Sequence, residues 1–471
     1  MTKILDFVNG FVWGVPALLL ILGVGLYFGV RTRWIQLSLF PESIRQFVSQ
    51  FRKQPAKDRV SGFRALCTAL AATVGTGNLA GVAGAIAIGG PGSVFWMWIC
   101  GILGMGTKFA EVTLAVRYRC YDLQGHLVGG PMYMIRHGMG SRWEFLAKSY
   151  CFFGVVAALG MGNATQVNAV VSGISGAVLA LGGSVSPYLS GLIALPLAIL
   201  AVLTLQGGAK GVGAVAELLV PVAACGYIIL SLGVLVICPE AIGSAFAAIV
   251  KGAFSPAAVT GGVLGSAFRT LRIGASRGVF TNEAGMGTAS IAHAAADVSH
   301  PVQQGLMGIM EVFLDTIVIC TLTALVILAS PVDIPYGTDA GASLTADAFV
   351  MVYGSWIHIP VAFFLCCFGT ATLLGWGFYG LRCAQFLFGD DARKGFSLLQ
   401  GAVVIIGALL RTDTLWLFSE TVNGLMTIPN LIALARLSPE LLRLTKEYKQ
   451  IRAAKAADGG TYANFNQCQP L

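Results

Sequence analysis

The chain has 471 residues, of which 56% are hydrophobic and only 11% charged, with 60 glycines. A water-soluble domain carries about 25% charged residues, so this composition lacks the polar surface to dissolve and points to lipid as the solvent. The formal charge of +8 does not mark a nucleic-acid binder, because the basic residues are sorted by loop and not gathered on one arm or face.

Taken in chain order, eleven apolar runs recur, at 10–30, 63–89, 92–116, 147–181, 189–205, 212–238, 259–296, 303–330, 357–381, 396–411 and 414–437. Each approaches the roughly 20 residues that cross a hydrocarbon core as a helix. The first run is too long for a cleavable signal and no soluble domain follows it, so it reads as a retained helix. Residues 1–438 are thus expected to form one all-α transmembrane bundle, with 439–471 as a tail whose LLRLTKEYKQIRAAKAA stretch is helix-like.

Basic residues concentrate in three loops. Arg31, Arg33, Arg45, Arg52, Lys53, Lys57, Arg59 and Arg64 follow the first run, Arg117 to Lys148 supply a second group, and Arg436 to Lys455 a third. In an eleven-span arrangement these lie on one side, so positive-inside bias puts them in the cytoplasm and the N-terminus outside, at the inner membrane. The opposite loop at 331–357 carries Asp333, Asp339 and Asp347 and no Lys or Arg, in agreement. Most of the eleven cysteines sit within apolar runs without metal-ligand spacing, and neither a disulfide framework nor a structural metal is expected.

Two runs carry Gly-rich polar interruptions, TVGTGN at 73–78 and TNEAGMGT at 281–288. With the leading helix set aside they open two halves of five spans, 63–238 and 259–437. Paired interruptions at corresponding positions point to an inverted-repeat transporter with a site at the bilayer midplane. In the first, Thr73, Gly75, Thr76, Gly77 and Asn78 suit an unwound stretch, where backbone N–H groups meet an anion and freed carbonyls a cation; close helix packing through small residues is the alternative. In the second, Glu283 beside Asn282, Gly285 and Met286 is a carboxylate at membrane depth, which serves function or braces a broken helix.

Asn163 and Gln166, three apart in GNATQVN, either bind a ligand's polar groups or join helices. Glu311 and Asp315, four apart in an apolar run, repel unless a proton or cation intervenes, which suggests an ion or proton relay or a salt bridge to an arginine of the seventh run. Thr370 and Thr372 offer hydroxyls to a hard cation, or bond back to their own helix. GASRG at 274–278 fits the Gly-x-Ser-x-Gly pattern literally, yet no β-strand precedes it, so Ser276 is not read as a nucleophile and no enzyme is expected.

With these motifs the chain resembles the alanine or glycine:cation symporter family. The matching stretches are ALAATVGTGNLAGVAGAIAIGGPGSVFWMW, KFAEVTLAVRYR, GGPMYMI, GNATQVNAV, RGVFTNEAGMGTASIAHAAA and TLLGWGFYG, spread over about residues 10–437. The resemblance implies a leucine-transporter-like five-plus-five inverted repeat after one leading helix, and alternating access by a symporter of alanine or glycine. Thr73–Asn78 and Phe280, Thr281, Asn282, Glu283, Gly285 and Met286 would contact the amino acid. Asn163 and Gln166 would close the pocket, and Na⁺ would sit near Thr73, Thr370 and Thr372 as coupling ion, with H⁺ as the alternative. The partners are then a small amino acid and membrane lipid, with no nucleic acid and no obligatory protein. Where the family pattern more often has Ser-Thr before Leu-Gly-Trp and a glutamate after Tyr-Gly, this chain has Ala371 and Leu381.

Overall fold

Helices form wherever the apolar runs predict them, because backbone in lipid has to satisfy its own N–H and C=O groups. The computed structural model describes residues 8–10, 12–50, 60–186, 188–263, 265–338, 341–409 and 413–457. Arg52, Lys53, Lys57, Arg59, Asp339 and the polar end of the tail from 458 lie outside the described residues, as does the side chain of Lys455. The leading helix is α1 (Val15–Arg31), followed by two short helices, α2 (Ile35–Ser38) and α3 (Phe40–Gln50).

The first half then comprises α4 (Gly62–Thr73), α5 (Thr76–Gly89), α6 (Gly92–Arg117), α7 (Glu144–Leu159), α8 (Thr165–Ala180), α9 (Leu189–Gln206) and α10 (Gly208–Ile237). After α11 (Pro239–Phe254) the second half repeats the order. It holds α12 (Ala267–Asn282), α13 (Thr288–His293), α14 (Pro301–Val312), α15 (Thr321–Ala329), α16 (Ser343–Tyr353), α17 (His358–Phe388), α18 (Ala392–Gly407) and α19 (Asp413–Ala457). A two-stranded antiparallel hairpin, β1 (Cys120–Tyr121) and β2 (Leu127–Val128), follows α6.

The packing partners obey a two-fold exchange of halves. α6 lies on α14, α8 on α17 and α9 on α18, each pair mapping onto itself, while α7 on α19 maps onto α17 on α10. α4 with α5 and α12 with α13 are the two discontinuous helices. This is the expected all-α, five-plus-five arrangement behind one leading helix.

Among the described residues, seven helices are long and apolar enough to span a membrane, and eight if the bent pair α4–α5 is one span. The remaining three of the eleven expected runs fall short for local reasons. The second broken helix has short halves and carries Arg269, Arg272 and Arg277. α18 has 16 residues, and α19 begins beside residues that are not described. Four helices were not foreseen, α2, α3, α11 and α16, each too short to cross. The tail is no loose appendage: α19 continues to Ala457, and its Lys449 and Arg452 reach Thr32 and Glu42.

Candidate functional site

The first helix stops at Thr73 because Val74 and Gly75 are extended, and α5 restarts at Thr76 with its axis turned by 43°. The gap is braced locally. The Gly75 N–H donates to Asn78 Oδ1 at 2.9 Å, while Asn78 Nδ2 donates to Asp315 Oδ1 at 2.6 Å. A side chain at Gly75 has no room, since its Cβ would lie 2.6 Å from Thr372 Oγ1.

The second helix ends at Asn282 through three left-handed residues, Glu283 (φ 53°), Gly285 (φ 98°) and Gly287 (φ 78°). Glycine tolerates that region and glutamate does not, so Glu283 stores strain of order 1–3 kcal/mol that its surroundings must hold. Trp376 Nε1 donates to its Oε1 at 3.1 Å and Thr288 Oγ1 to its Oε2 at 2.6 Å. The amides freed by the break are taken by Glu111. Its Oε1 accepts from Gly285 N at 2.8 Å, Gly287 N at 3.1 Å and Asn430 Nδ2 at 2.6 Å.

A chain of polar contacts joins the breaks. Asp315 also accepts from Thr316 Oγ1 at 2.8 Å, and Thr316 Oγ1 accepts from Asn282 Nδ2 at 3.2 Å. These residues lie where the helix between α14 and α15 widens to π geometry over Phe313–Cys320. A second buried group lies one turn away. Lys108 Nζ is 3.3 Å from Glu311 Oε1, and His293 Nε2 is 2.9 Å from Glu311 Oε2. Gln304 Nε2 sits 2.7 Å from His293 Nδ1. An amide nitrogen only donates, so the network assigns the His293 proton to Nε2, directed at Glu311. The salt-bridge partner of Glu311 is therefore Lys108 of the third run, not an arginine of the seventh.

Between the breaks lies a cavity of about 20 Å³, the room of a single water. Thr73, Gly75, Thr76 and Gly77 line it from the first break, Phe280, Thr281 and Glu283 from the second. Gln166 closes it from α8 and Thr372 from α17. Gln166 Oε1 accepts from Thr76 Oγ1 at 3.1 Å. The Thr372 hydroxyl is buried and has no hydrogen-bond partner among the described residues. The turn leading into α1 supports this wall, with Trp13 edge-on to Phe280 at 6.0 Å.

Several candidates fall elsewhere. Asn78, Asn163, Asn282, Gly285, Met286 and Thr370 do not line the cavity. Asn78 and Asn282 brace the breaks from behind, Gly285 faces Ile21, Leu431 and Thr427, Met286 is fully buried, and Asn163 bonds Gln400 on α18. Sequence reading missed Ala72, Met161 and Trp376 in the lining. It also gave no role to Lys108 and Glu111, although charged residues three apart inside an apolar run are a signal in themselves.

A cavity of about 400 Å³ reaches Thr76 along Ala80, Gly173 and Gly176, with Asp347 and His358 at its wall. Toward the face that carries Arg117, Val60 bridges Ala296. The Asp297 N–H donates to Val60 O at 2.9 Å, and Arg119 Nη1 donates to Ala296 O at 2.6 Å.

Comparisons with known proteins agree with this architecture. The crystal structure of MhsT in complex with L-phenylalanine superposes with a TM-score of 0.51 at 14% identity, over 79% of this chain and 89% of that one, a likeness of fold. The sodium/alanine symporter AgcS of Methanococcus maripaludis is 40% identical over 467 residues, 96% of this chain and 98% of the relative. The probable sodium/glutamine symporter GlnT of Bacillus subtilis is 35% identical over 465 residues, 97% and 92% of the two chains. A model of the sodium:alanine symporter family matches residues 1–461. The chain is a multi-pass membrane transporter, not an enzyme, and it belongs to the sodium:alanine symporter family.

Proposed function

We propose that this protein moves a small neutral amino acid together with Na⁺ through the cavity between the two breaks, by alternating access. The observation that carries this reading is the small volume between backbone segments, walled by a carboxylate, Glu283, and by the unpartnered Thr372 hydroxyl. Every α-amino acid has the same charged ends, so selection falls to volume. The N–H groups at the start of α5 suit the substrate carboxylate, Glu283 suits its ammonium, and Gln166 closes over both. Thr372 and Thr73, beside the freed carbonyls of the first break, form an oxygen-rich place for Na⁺, and Thr370 lies two residues before Thr372 on α17.

In the same reading the open side at Asp347 and His358 is the outside. The face with Arg117, together with the tail from 439, is then cytoplasmic, the N-terminus outside, and the membrane the inner one. Asn78, Asn163, Asn282, Gly285 and Met286 shape the site from behind its lining. Asp315, which has no ion pair among the described residues, is the candidate for an ion or proton step, while Glu311 is neutralised by Lys108. Proteoliposomes test the proposal. Labelled alanine or glycine is expected to accumulate only with an inward Na⁺ gradient and to be displaced by small amino acids better than by glutamine. Uptake indifferent to Na⁺ overturns the coupling, and a response to pH alone assigns it to H⁺.

A further inference from the structure

The helix α3 is turned inside out by the standard of a soluble protein. Glu42, Ser43, Gln46 and Gln50 are buried, whereas Pro41, Ile44, Arg45 and Val48 form an exposed stripe at helical spacing. The stripe continues back through Leu37 (56% exposed), Trp34 and Val30 on the turn that ends α1. In that turn Arg33 (φ 59°) and Trp34 (φ 53°) are both left-handed, which turns two non-glycine side chains outward at some strain. An apolar stripe facing outward on a membrane protein lies against acyl chains.

Cations border the stripe. Arg31, Arg33 and Arg45 come from the α1–α3 region, and Lys449 and Arg452, three apart on one face of α19, come from the tail. Lys449 Nζ donates to Thr32 O at 3.3 Å. Burial and the neighbouring Arg33 guanidinium hold the Lys449 ammonium below its usual range. A carboxylate at this junction is Glu42, whose Oε2 is 3.7 Å from both Arg45 Nη1 and Arg452 Nη2. Arg31, Arg33 and Lys449 make no ion pair with a described residue. Arg45 and Arg452 share Glu42, and Arg33 lies near Lys449; such cations beside an apolar stripe complement the two-part chemistry of an anionic amphiphile. An anion placed between Arg33 and Lys449 replaces a repulsion by two attractions.

We infer that the junction of the α1–α3 turn with the tail helix binds the headgroup of one anionic glycerophospholipid, whose acyl chains lie along the stripe from Val30 to Val48. Arg and Lys suit this place because their apolar stems lie along hydrocarbon while their heads stay at the phosphate level.

The test uses the intact purified transporter in zwitterionic nanodiscs, titrated with phosphatidylglycerol or phosphatidylcholine and followed by native mass spectrometry. One phosphatidylglycerol is expected to be retained in preference to phosphatidylcholine, and the Arg33→Gln/Lys449→Gln pair to weaken retention by about tenfold or more. Lys449→Arg and the distant Lys148→Gln are expected to retain it. Equal retention by the double variant, or equal retention of the two lipids, overturns the inference. Displacement by millimolar inorganic phosphate also overturns it, by assigning the site to a soluble anion. Should the double variant not fold, brominated acyl chains read the site in the unmutated charge background. The fluorescence lost on Trp34→Phe is expected to be quenched more by brominated phosphatidylglycerol than by brominated phosphatidylcholine, and equal quenching overturns the inference.

Discussion

Thr372 points its hydroxyl at the α-carbon of Gly75, so closely that a methyl group there would lie 2.6 Å from Oγ1. The hydroxyl is buried without a hydrogen-bond partner among the described residues, and such a group costs about 1–3 kcal/mol unless something satisfies it. A cation at the first break is the occupant proposed above. Thr372→Val keeps the shape and removes the oxygen, so the Na⁺ concentration for half-maximal uptake is expected to rise about tenfold or more. Unchanged Na⁺ dependence in a variant that inserts normally would remove Thr372 from the cation shell.

Glycines of the breaks divide by what a side chain meets. At Gly75 it meets Thr372, so Gly75→Ala is expected to abolish transport. At Gly77 the nearest atom is Phe280 Cε1 at 3.8 Å, an ordinary contact on the cavity wall. Gly77→Ala is therefore expected to transport glycine better than alanine, measured as the ratio of initial rates. Gly285→Ala acts by backbone strain at φ 98° and is expected to reduce both substrates alike.

Glu111 is the acceptor for two amides of the second break. Glu111→Ala leaves those N–H groups and Asn430 without it, a loss of about 2–4 kcal/mol in stability, and uptake is expected to fail with it. Glu111→Gln retains a carbonyl acceptor and is expected to recover part of both. Thermal melts of purified protein beside uptake assays check this; equal melting of Glu111→Ala and the parent would refute a bracing role.

Trp376 fills the space beside Gly162, where no side chain fits, and gives its indole N–H to Glu283. Trp376→Phe keeps most of the packing and removes the donor. A rise in KM for alanine of about tenfold is expected, with smaller change in melting temperature. An unaltered KM means that the Glu283 orientation does not depend on this bond.

The buried pair Lys108–Glu311 calls for a double-mutant cycle. Lys108→Met or Glu311→Gln alone leaves its partner exposed to low dielectric and is expected to cost about 3–5 kcal/mol, whereas the double variant recovers a large part. Additive losses in melting experiments would show that the two charges do not act as a pair.

Composition and periodicity by themselves fix lipid as the solvent, the helical class, and the two interruptions. Thr73, Gly75, Thr76 and Gly77 were legible because glycine and hydroxyl residues in mid-span have few other uses. Gln166, Phe280, Glu283 and Thr372 came from the same reasoning aided by family likeness. Asn78, Asn163 and Asn282 looked equally suited to a ligand, yet each turns to another helix: Asn78 to Asp315, Asn163 to Gln400 and Asn282 to Thr316. Helical periodicity gives the face on which a residue lies but not which helix, 34 to 237 positions away in these three cases, packs against that face. Glu111 shows the same limit from the other side. Its charge was plain in the sequence, but its purpose exists only where the tertiary fold brings the broken backbone of Gly285 and Gly287 to its carboxylate.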